Sequence, residues 1–144
     1  MKRRWMVLII VGVIAAAILA GCAQIRQAAL ESGEQEMTYH KIDAKEAKRM
    51  IDEGDVTIVD VRTPGEYAER HLENALNVPN EEIADTPPEK LADKDARLIV
   101  YCRTGIRSKQ ASDKLVAMGY TNVFDMGGIN DWPYETINEK GDIV

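Results

Sequence analysis

Two short runs of apolar residues constrain the fold of this chain more than any other feature of its sequence. Residues 56–61 form a β-branched run that contains Asp60 near its end, and residues 98–101 read Leu-Ile-Val-Tyr, directly before Cys102. Such runs are typical of strands that are buried on both faces of a parallel sheet. The sequence therefore predicts that Asp60 and Cys102 both lie at the carboxyl edge of such a sheet.

Helix signals alternate with the predicted strands. Asp43 and Glu46 have the spacing of a capping box, and Thr63, Pro64 and Glu66 repeat that signal at the start of a second helix. Strands that alternate with helices through short links predict an α/β fold, in which helices cover both faces of a parallel sheet. The other expected elements are short strands over residues 39–42, 75–78 and 122–125, one helical turn over 81–85, a helix over 108–118 and a turn at Gly127-Gly128.

The amino-terminal segment has the features of a secretory signal. Three basic residues, Lys2 to Arg4, precede an uncharged run over residues 5–20 that is shorter than the roughly 20 residues of a membrane-spanning helix. The run ends in Leu19-Ala20-Gly21-Cys22, which resembles the lipobox of bacterial lipoproteins. The resemblance implies that residues 1–21 are removed as a lipoprotein signal peptide and that Cys22 becomes a lipidated amino terminus. Alternatively, the run is a short uncleaved anchor and Cys22 is an ordinary small residue.

Both interpretations tether the domain to a bacterial membrane, and the lipoprotein interpretation places it outside the cytoplasm. Residues 22–37 are interpreted as the lipidated terminus and a polar linker, and residues 38–144 as the folded domain. Removal of residues 1–21 leaves 15 basic and 24 acidic residues, because it takes away three basic residues and no acidic one. Such an acidic chain is not expected to bind nucleic acid through its charge, and its membrane contact is expected to come from lipid on Cys22.

Lipidation of Cys22 would leave Cys102 as the only free thiol of the mature chain. Cys102 begins the loop Cys102-Arg103-Thr104-Gly105-Ile106-Arg107, which joins the strongest predicted strand to a helix. The N–H groups of such a loop and of the first helical turn favour a thiolate over a thiol, and the thiolate is the nucleophile. Gly105 supplies the conformational freedom of a tight turn, and the guanidinium groups of Arg103 and Arg107 suit a sulfate-like or phosphate anion.

This loop, taken with Asp60-Val61-Arg62, resembles the active-site region of a single-domain rhodanese, which is a sulfurtransferase. The similarity runs from about residue 38 to residue 133 and also includes Glu66-Tyr67, Asn77-Val78-Pro79, Gly127-Gly128 and Trp132-Pro133. The resemblance implies a three-layer rhodanese-like domain with a five-stranded parallel sheet. It also implies that Cys102 takes a sulfur atom from thiosulfate or a persulfide donor and passes it to a thiol or cyanide.

The resemblance also implies roles for the residues around Cys102, the catalytic nucleophile. The substrate-binding part of the loop is residues 103–107, in which Arg107 and Arg103 are expected to orient the donor. Asp60 and Arg62 are expected to support the site, with Arg62 paired to Glu66 or Glu69. No cofactor is expected. No metal is expected either, because His40 and His71 have too few partners for a metal site.

Two other functions stay open on the sequence alone. Phosphatases and arsenate reductases of related fold also use a cysteine and arginine loop, which holds a tetrahedral oxyanion. The phosphatases carry one residue more in that loop, whereas four residues separate Cys102 from Arg107, and this tighter ring favours a single sulfur atom over a phosphate. Alternatively, the domain is a partner-binding or persulfide-carrying module that has no turnover of its own.

Replacement of Cys22 by serine tests the lipoprotein interpretation. A thioether to lipid needs the cysteine sulfur, so cells given a labelled fatty acid are expected to label the wild-type chain and not Cys22→Ser. The variant Cys102→Ser is the control, and it is expected to be labelled like the wild type. Equal labelling of the wild type and Cys22→Ser would contradict the interpretation.

Overall fold

The computed structural model describes residues 38–144, so the proposed signal peptide and linker lie outside the described residues. Five parallel strands form one sheet in the order β1-β5-β4-β2-β3. The strands expected over residues 39–42 and 75–78 are present as strands of two residues each. The strands are β1 (His40–Lys41), β2 (Thr57–Asp60), β3 (Leu76–Asn77), β4 (Arg97–Cys102) and β5 (Asn122–Gly128).

Three α-helices connect these strands, namely α1 (Ala44–Glu53), α2 (Pro64–Glu69) and α3 (Ile106–Ala117). Single turns of 3-10 helix lie at Glu89–Leu91 and Ile129–Asp131. Within residues 38–144, no helix is long and apolar enough to cross a membrane.

Buried side chains form two clusters that share β4. Along this strand Leu98, Val100 and Cys102 belong to one cluster and Ile99 and Tyr101 to the other, since successive side chains of a strand point to opposite faces. α3 packs into the first cluster and α1 into the second, through the buried residues Ala111, Leu115, Val116, Ala47 and Met50. The predicted α/β fold, a parallel sheet covered on both faces, is therefore confirmed.

Both predicted helix caps are present, but only the second is a complete capping box. The Asp43 carboxylate accepts the N–H of Glu46 at 2.8 Å, while the Glu46 side chain pairs with the guanidinium group of Arg49. At α2 the Thr63 hydroxyl accepts the N–H of Glu66, and the Glu66 carboxylate accepts the N–H of Thr63. This complete box holds the Glu66 carboxylate at the start of α2, where it takes part in the site described below.

The prediction of a helical turn over residues 81–85 is wrong. These residues form a turn and bends without a helix, and the single 3-10 turn of this region comes later, at Glu89–Leu91. One apolar side chain anchors each segment to the core, since Ile83 is 1% and Leu91 is 3% exposed. Burial of these side chains decides the course of the chain here, because tertiary packing contributes more to a short helix than local propensity does.

The prediction of a turn at Gly127-Gly128 is also wrong, because both glycines belong to β5. A register shift lies opposite Val100 and Tyr101, so that Asp125 pairs with Val100 and Gly127 pairs with Tyr101. The Asp125 carboxylate accepts the N–H of Gly127 at 2.9 Å and stabilises this irregularity. As a result β5 continues beyond its predicted end and places Gly128 opposite Cys102.

Truncation of a core residue of α3 tests the packing of this helix against the sheet. Leu115→Ala is expected to lower the free energy of unfolding by about 2–5 kcal/mol, because Leu115 is fully buried and the change leaves a cavity. Ile106→Ala, in the same helix, is the control with an expected change of less than about 0.5 kcal/mol, since Ile106 is 69% exposed. Urea denaturation measures both, and equal effects would contradict this packing.

Candidate active site

Cys102 is the last residue of β4, and α3 begins four residues later at Ile106. The thiol is buried, with 1% of the residue exposed. Its sulfur accepts the N–H of Gly105, with an N···S distance of 3.1 Å. The loop after β4 therefore turns back sharply enough to direct a backbone donor at the sulfur atom.

Gly105 makes this reversal possible. Its φ of +102° lies in the left-handed region, where a residue without Cβ meets no steric penalty. The carbonyl of Gly105 accepts the N–H of Lys109 and the hydroxyl of Ser108, at 3.2 and 3.1 Å. Gly105 is thus the amino-terminal cap residue of α3, and its own N–H is directed at the sulfur of Cys102. Both the hydrogen bond and the positive end of the helix dipole favour negative charge on that sulfur.

Gly128 supports the loop from the neighbouring strand. A Cβ atom at this position would lie only 2.6 Å from the carbonyl oxygen of Arg103 and 2.9 Å from the Cα of Thr104. The N–H of Asn130 donates to the same carbonyl of Arg103 at 3.3 Å. Gly128 therefore permits the close approach of the loop to β5, and Asn130, in the 3-10 turn after β5, restrains the first half of the loop. The sequence contains the paired glycines as a motif, but its spacing predicts a turn there.

Arg107 forms an ion pair with Glu66 of α2. The two terminal guanidinium nitrogens donate to the two carboxylate oxygens at 2.7 and 2.8 Å, a bidentate arrangement. This pairing lowers the pKa of Glu66 to about 2, and the hydrogen bonds from Thr63 act in the same direction. The expected contact of Arg107 with a donor anion stays a prediction. In the structure the side chain joins α3 to α2 through this ion pair.

Asp60 and Arg62 form a second, fully buried ion pair. The Arg62 side chain donates to the Asp60 carboxylate at 2.6 Å, and the Arg62 N–H donates to the same carboxylate at 2.9 Å. The expectation that Arg62 pairs with Glu66 or Glu69 is therefore wrong. A completely buried carboxylate needs a counter-charge beside it, and Arg62 is the cation that the turn after β2 places there.

A cleft of about 300 Å³ lies beside the Cys102 loop. Polar and charged side chains line it from the turn after β2, from α2, from the loop and from the turn after β5. Sequence reasoning identified two of these, Arg62 and Arg103, as site residues. The complete lining is Arg62, Glu66, Glu69, Arg70, Arg103 and Asn130.

Thr104, Ile106 and His71 do not line this cleft. Thr104 and Ile106 are exposed at the surface of the loop. His71 is buried, stacks on Tyr67 with ring centroids 3.8 Å apart, and makes a 2.7 Å hydrogen bond to the Tyr67 carbonyl. In the part of the chain that the structure describes, no three histidine, cysteine or acidic side chains are grouped to hold a metal ion.

The low pKa of Glu66 gives a testable pH dependence. The folded-state pKa of about 2 lies below the ordinary value of 4.5, so the pair with Arg107 stabilises the fold above pH 4.5 and ceases to do so as pH falls toward 2. Glu66→Gln is therefore expected to lower the free energy of unfolding at pH 7 by about 1–2 kcal/mol, after allowance for partial exposure of the pair.

The same denaturation experiment at pH 3 provides the second half of this test. The difference between wild type and Glu66→Gln is expected to shrink there, because part of the wild-type advantage is lost. Glu82→Gln, at an exposed residue that makes no ion pair within residues 38–144, is the control. A difference that is independent of pH would contradict the role of the ion pair.

Comparison with known proteins places this site in a family. The family model of the rhodanese-like domain matches residues 43–135. Thiosulfate sulfurtransferase PspE of Escherichia coli (strain K12) is 38% identical over 73 residues, which are 51% of this chain and 70% of that protein. A tRNA uridine(34) hydroxylase of Yersinia enterocolitica is 35% identical over 98 residues, which are 65% of this chain but 28% of that protein.

A solved structure agrees with these matches. The structure described as rhodanese with anions from E. coli superposes with a TM-score of 0.53 at 34% sequence identity. The match covers 57% of this chain and 96% of that chain. The residues matched by the family model include both ion pairs, the Cys102 loop and the paired glycines of β5. The chain therefore belongs to the rhodanese-like domain family.

Proposed function

We propose that this protein is a sulfurtransferase that carries sulfur as a persulfide on Cys102. The observation that carries the proposal is the hydrogen bond from the Gly105 N–H to the Cys102 sulfur at the amino terminus of α3. A backbone donor and a helix dipole directed at a buried sulfur stabilise a thiolate without the help of a neighbouring base. The same donors would stabilise the terminal sulfur of a persulfide, which is also anionic.

The reaction follows a ping-pong route with two displacements. First, the Cys102 thiolate attacks the outer sulfur of thiosulfate, the S–S bond of thiosulfate breaks, and sulfite leaves with the bonding electron pair. With a persulfide donor, the leaving group is a thiolate. Next, a thiol or cyanide attacks the outer sulfur of the Cys102 persulfide and releases the Cys102 thiolate. The protein undergoes no net oxidation, so this route requires no cofactor.

The positive charge of the Cys102 loop supports the proposal that the sulfur donor is an anion. Arg103 lies in the loop itself, is exposed, and lines the adjacent cleft, where it makes no ion pair within residues 38–144. Guanidinium groups match the oxygens of a sulfonate-like group in geometry and charge. Similarity to a thiosulfate sulfurtransferase and to a rhodanese solved with anions supports thiosulfate as one donor.

The tight turn also favours sulfur transfer over phosphate chemistry. Only two residues separate Cys102 from Gly105, whose N–H already contacts the sulfur at 3.1 Å. One added sulfur atom needs less room inside such a loop than a tetrahedral phosphate with its four oxygen atoms. We therefore favour the sulfurtransferase over the phosphatase or arsenate reductase.

We further propose that the enzyme works outside the cytoplasm, held at a bacterial membrane by lipid on Cys22. The support is the basic start, the apolar run and the Leu19-Ala20-Gly21-Cys22 segment of the sequence. In that setting Cys102 has no second thiol in the mature chain to resolve its persulfide, so the acceptor comes from another molecule.

Intact-mass spectrometry tests the function. After treatment with thiosulfate, the full-length protein in detergent is expected to gain one sulfur atom, and cyanide is expected to remove it. Cys102→Ser is expected to show neither change, whereas Cys22→Ser is the matched control that keeps the reactive thiol. Steady-state thiosulfate:cyanide turnover should accompany the mass change.

Three outcomes would contradict the proposal in different ways. An unchanged mass with thiosulfate and with a persulfide donor, in a protein whose Cys102 still reacts with iodoacetamide, would rule out persulfide formation. Loading without turnover would favour the carrier module. Hydrolysis of p-nitrophenyl phosphate in a Cys102-dependent manner would favour the phosphatase.

A further inference from the structure

The cleft beside the Cys102 loop contains charged groups that the proposed reaction leaves without a role. We call it the Arg70 cleft, and it is lined by Arg62, Glu66, Glu69, Arg70, Arg103 and Asn130. Its volume is about 300 Å³. Thiosulfate would occupy only part of that space, so the cleft has room for a larger reactant.

Two of the charges that line the cleft are neutralised within the protein. The guanidinium group of Arg62 is paired with the Asp60 carboxylate, and the Glu66 carboxylate is paired with the guanidinium group of Arg107. These groups shape the walls of the cleft, but their charges are already balanced. The net charge available to a ligand therefore comes from the other three charged residues.

Arg70 and Arg103 make no ion pair among residues 38–144, and neither side chain donates a hydrogen bond there. Arg103 is exposed and Arg70 is half-buried. Glu69 is the one carboxylate of the lining that has no cation partner within the same residues. Two available guanidinium groups against one carboxylate leave the cleft with an excess of one positive charge.

Hydrogen bonds to Glu66 and Arg62 hold the backbone of Arg70 in place. Its N–H donates to the carbonyl of Glu66 at 3.3 Å, and its carbonyl accepts a hydrogen bond from the Arg62 guanidinium group. Arg70 is therefore fixed at the end of α2 next to the buried Asp60–Arg62 pair. The Cα of Arg70 therefore has a defined place beside the site, and its guanidinium group makes no ion pair within residues 38–144.

We propose that the Arg70 cleft binds the sulfur acceptor and that this acceptor is a small thiol carrying a carboxylate. Arg70 and Arg103 hold the carboxylate by charge-assisted hydrogen bonds, and the Asn130 side chain offers a further polar contact. The inference rests on the proposed function, because it concerns the molecule that unloads the Cys102 persulfide. It makes Arg70, which lies outside the loop, a specificity-determining residue.

The transfer step is balanced without an added oxidant or reductant. The acceptor, as a thiolate, attacks the outer sulfur of the Cys102 persulfide and forms a new S–S bond. The bond between that sulfur and the Cys102 Sγ breaks, and its electron pair stays on Sγ as the thiolate. The acceptor leaves as a persulfide that keeps its carboxylate, and the proton of the original thiol goes to solvent.

The test measures how acceptor charge affects the second half-reaction alone. The full-length protein is loaded with thiosulfate, freed of donor by gel filtration, and mixed with an excess of one acceptor. The acceptors are 3-mercaptopropionate, 2-mercaptoethanol and cysteamine. Besides the thiol they carry an anionic carboxylate, a neutral hydroxyl and a cationic ammonium group, respectively. Rates of sulfur loss from Cys102 are compared at equal thiolate concentration and low salt.

Wild-type protein is expected to react about five- to tenfold faster with 3-mercaptopropionate than with 2-mercaptoethanol, because a carboxylate can form one or two partly exposed ion pairs with guanidinium groups of the cleft. The reaction with cysteamine is expected to be the slowest. Arg70→Gln is expected to reduce the preference to about twofold or less, and Arg70→Lys to restore part of it. Arg97→Gln makes the same change of charge at the opposite end of β4 and is expected to keep the wild-type preference.

Equal rates with the three acceptors in the wild type would overturn the inference. A preference for 3-mercaptopropionate that is unchanged in Arg70→Gln, or equally reduced in Arg97→Gln, would also overturn it. If Cys102 accepts no sulfur in the loading step, the proposed function itself fails, and that result is seen before any acceptor is added.

Discussion

The shape of the Cys102 loop, between β4 and α3, depends on the hydrogen bond from the Gly105 N–H to the Cys102 sulfur. This hydrogen bond requires the chain to reverse within three residues of β4, with positive φ at Gly105, and it starts α3 beside the sulfur. Neighbouring groups stabilise this reversal from three sides. Ser108 donates to the Gly105 carbonyl from within α3, the Asn130 N–H donates to the Arg103 carbonyl from the turn after β5, and Glu66 of α2 pairs with Arg107.

Two ion pairs distinguish the arginines of the site that are paired from those that have no ion pair within residues 38–144. Arg62 neutralises a buried carboxylate at the end of β2, and Arg107 joins two helices. Both pairs are bidentate or nearly so, which restrains the guanidinium planes as well as their positions. Arg103 and Arg70 make no such pairs within residues 38–144, and we propose that they contact the anionic donor or acceptor. Arginine thus stabilises the fold at two positions of the site and stays without an ion pair at two others in the described residues.

The sequence was informative where structure depends on local pattern. The apolar runs predicted the central strand β4 and its neighbour β2, and the Thr63 and Asp43 signals predicted helix starts that the structure contains. It was less informative about contacts between elements that are distant in sequence. The Glu66–Arg107 pair spans 41 residues, and the partner of Arg62 is decided by which carboxylate becomes buried. The paired glycines were visible as a motif, but only the register of β5 on β4 explains why a side chain there would strike the loop.

We propose that the loop after β4 holds one additional sulfur atom on Cys102. A crystal structure of the protein after treatment with thiosulfate would show whether it does. The predicted result is a single sulfur atom bonded to the Cys102 Sγ, enclosed by the loop and accepting hydrogen bonds from its backbone N–H groups. An unmodified Cys102 with intact thiosulfate beside it, or a persulfide turned out of the loop toward solvent, would contradict this role of the loop.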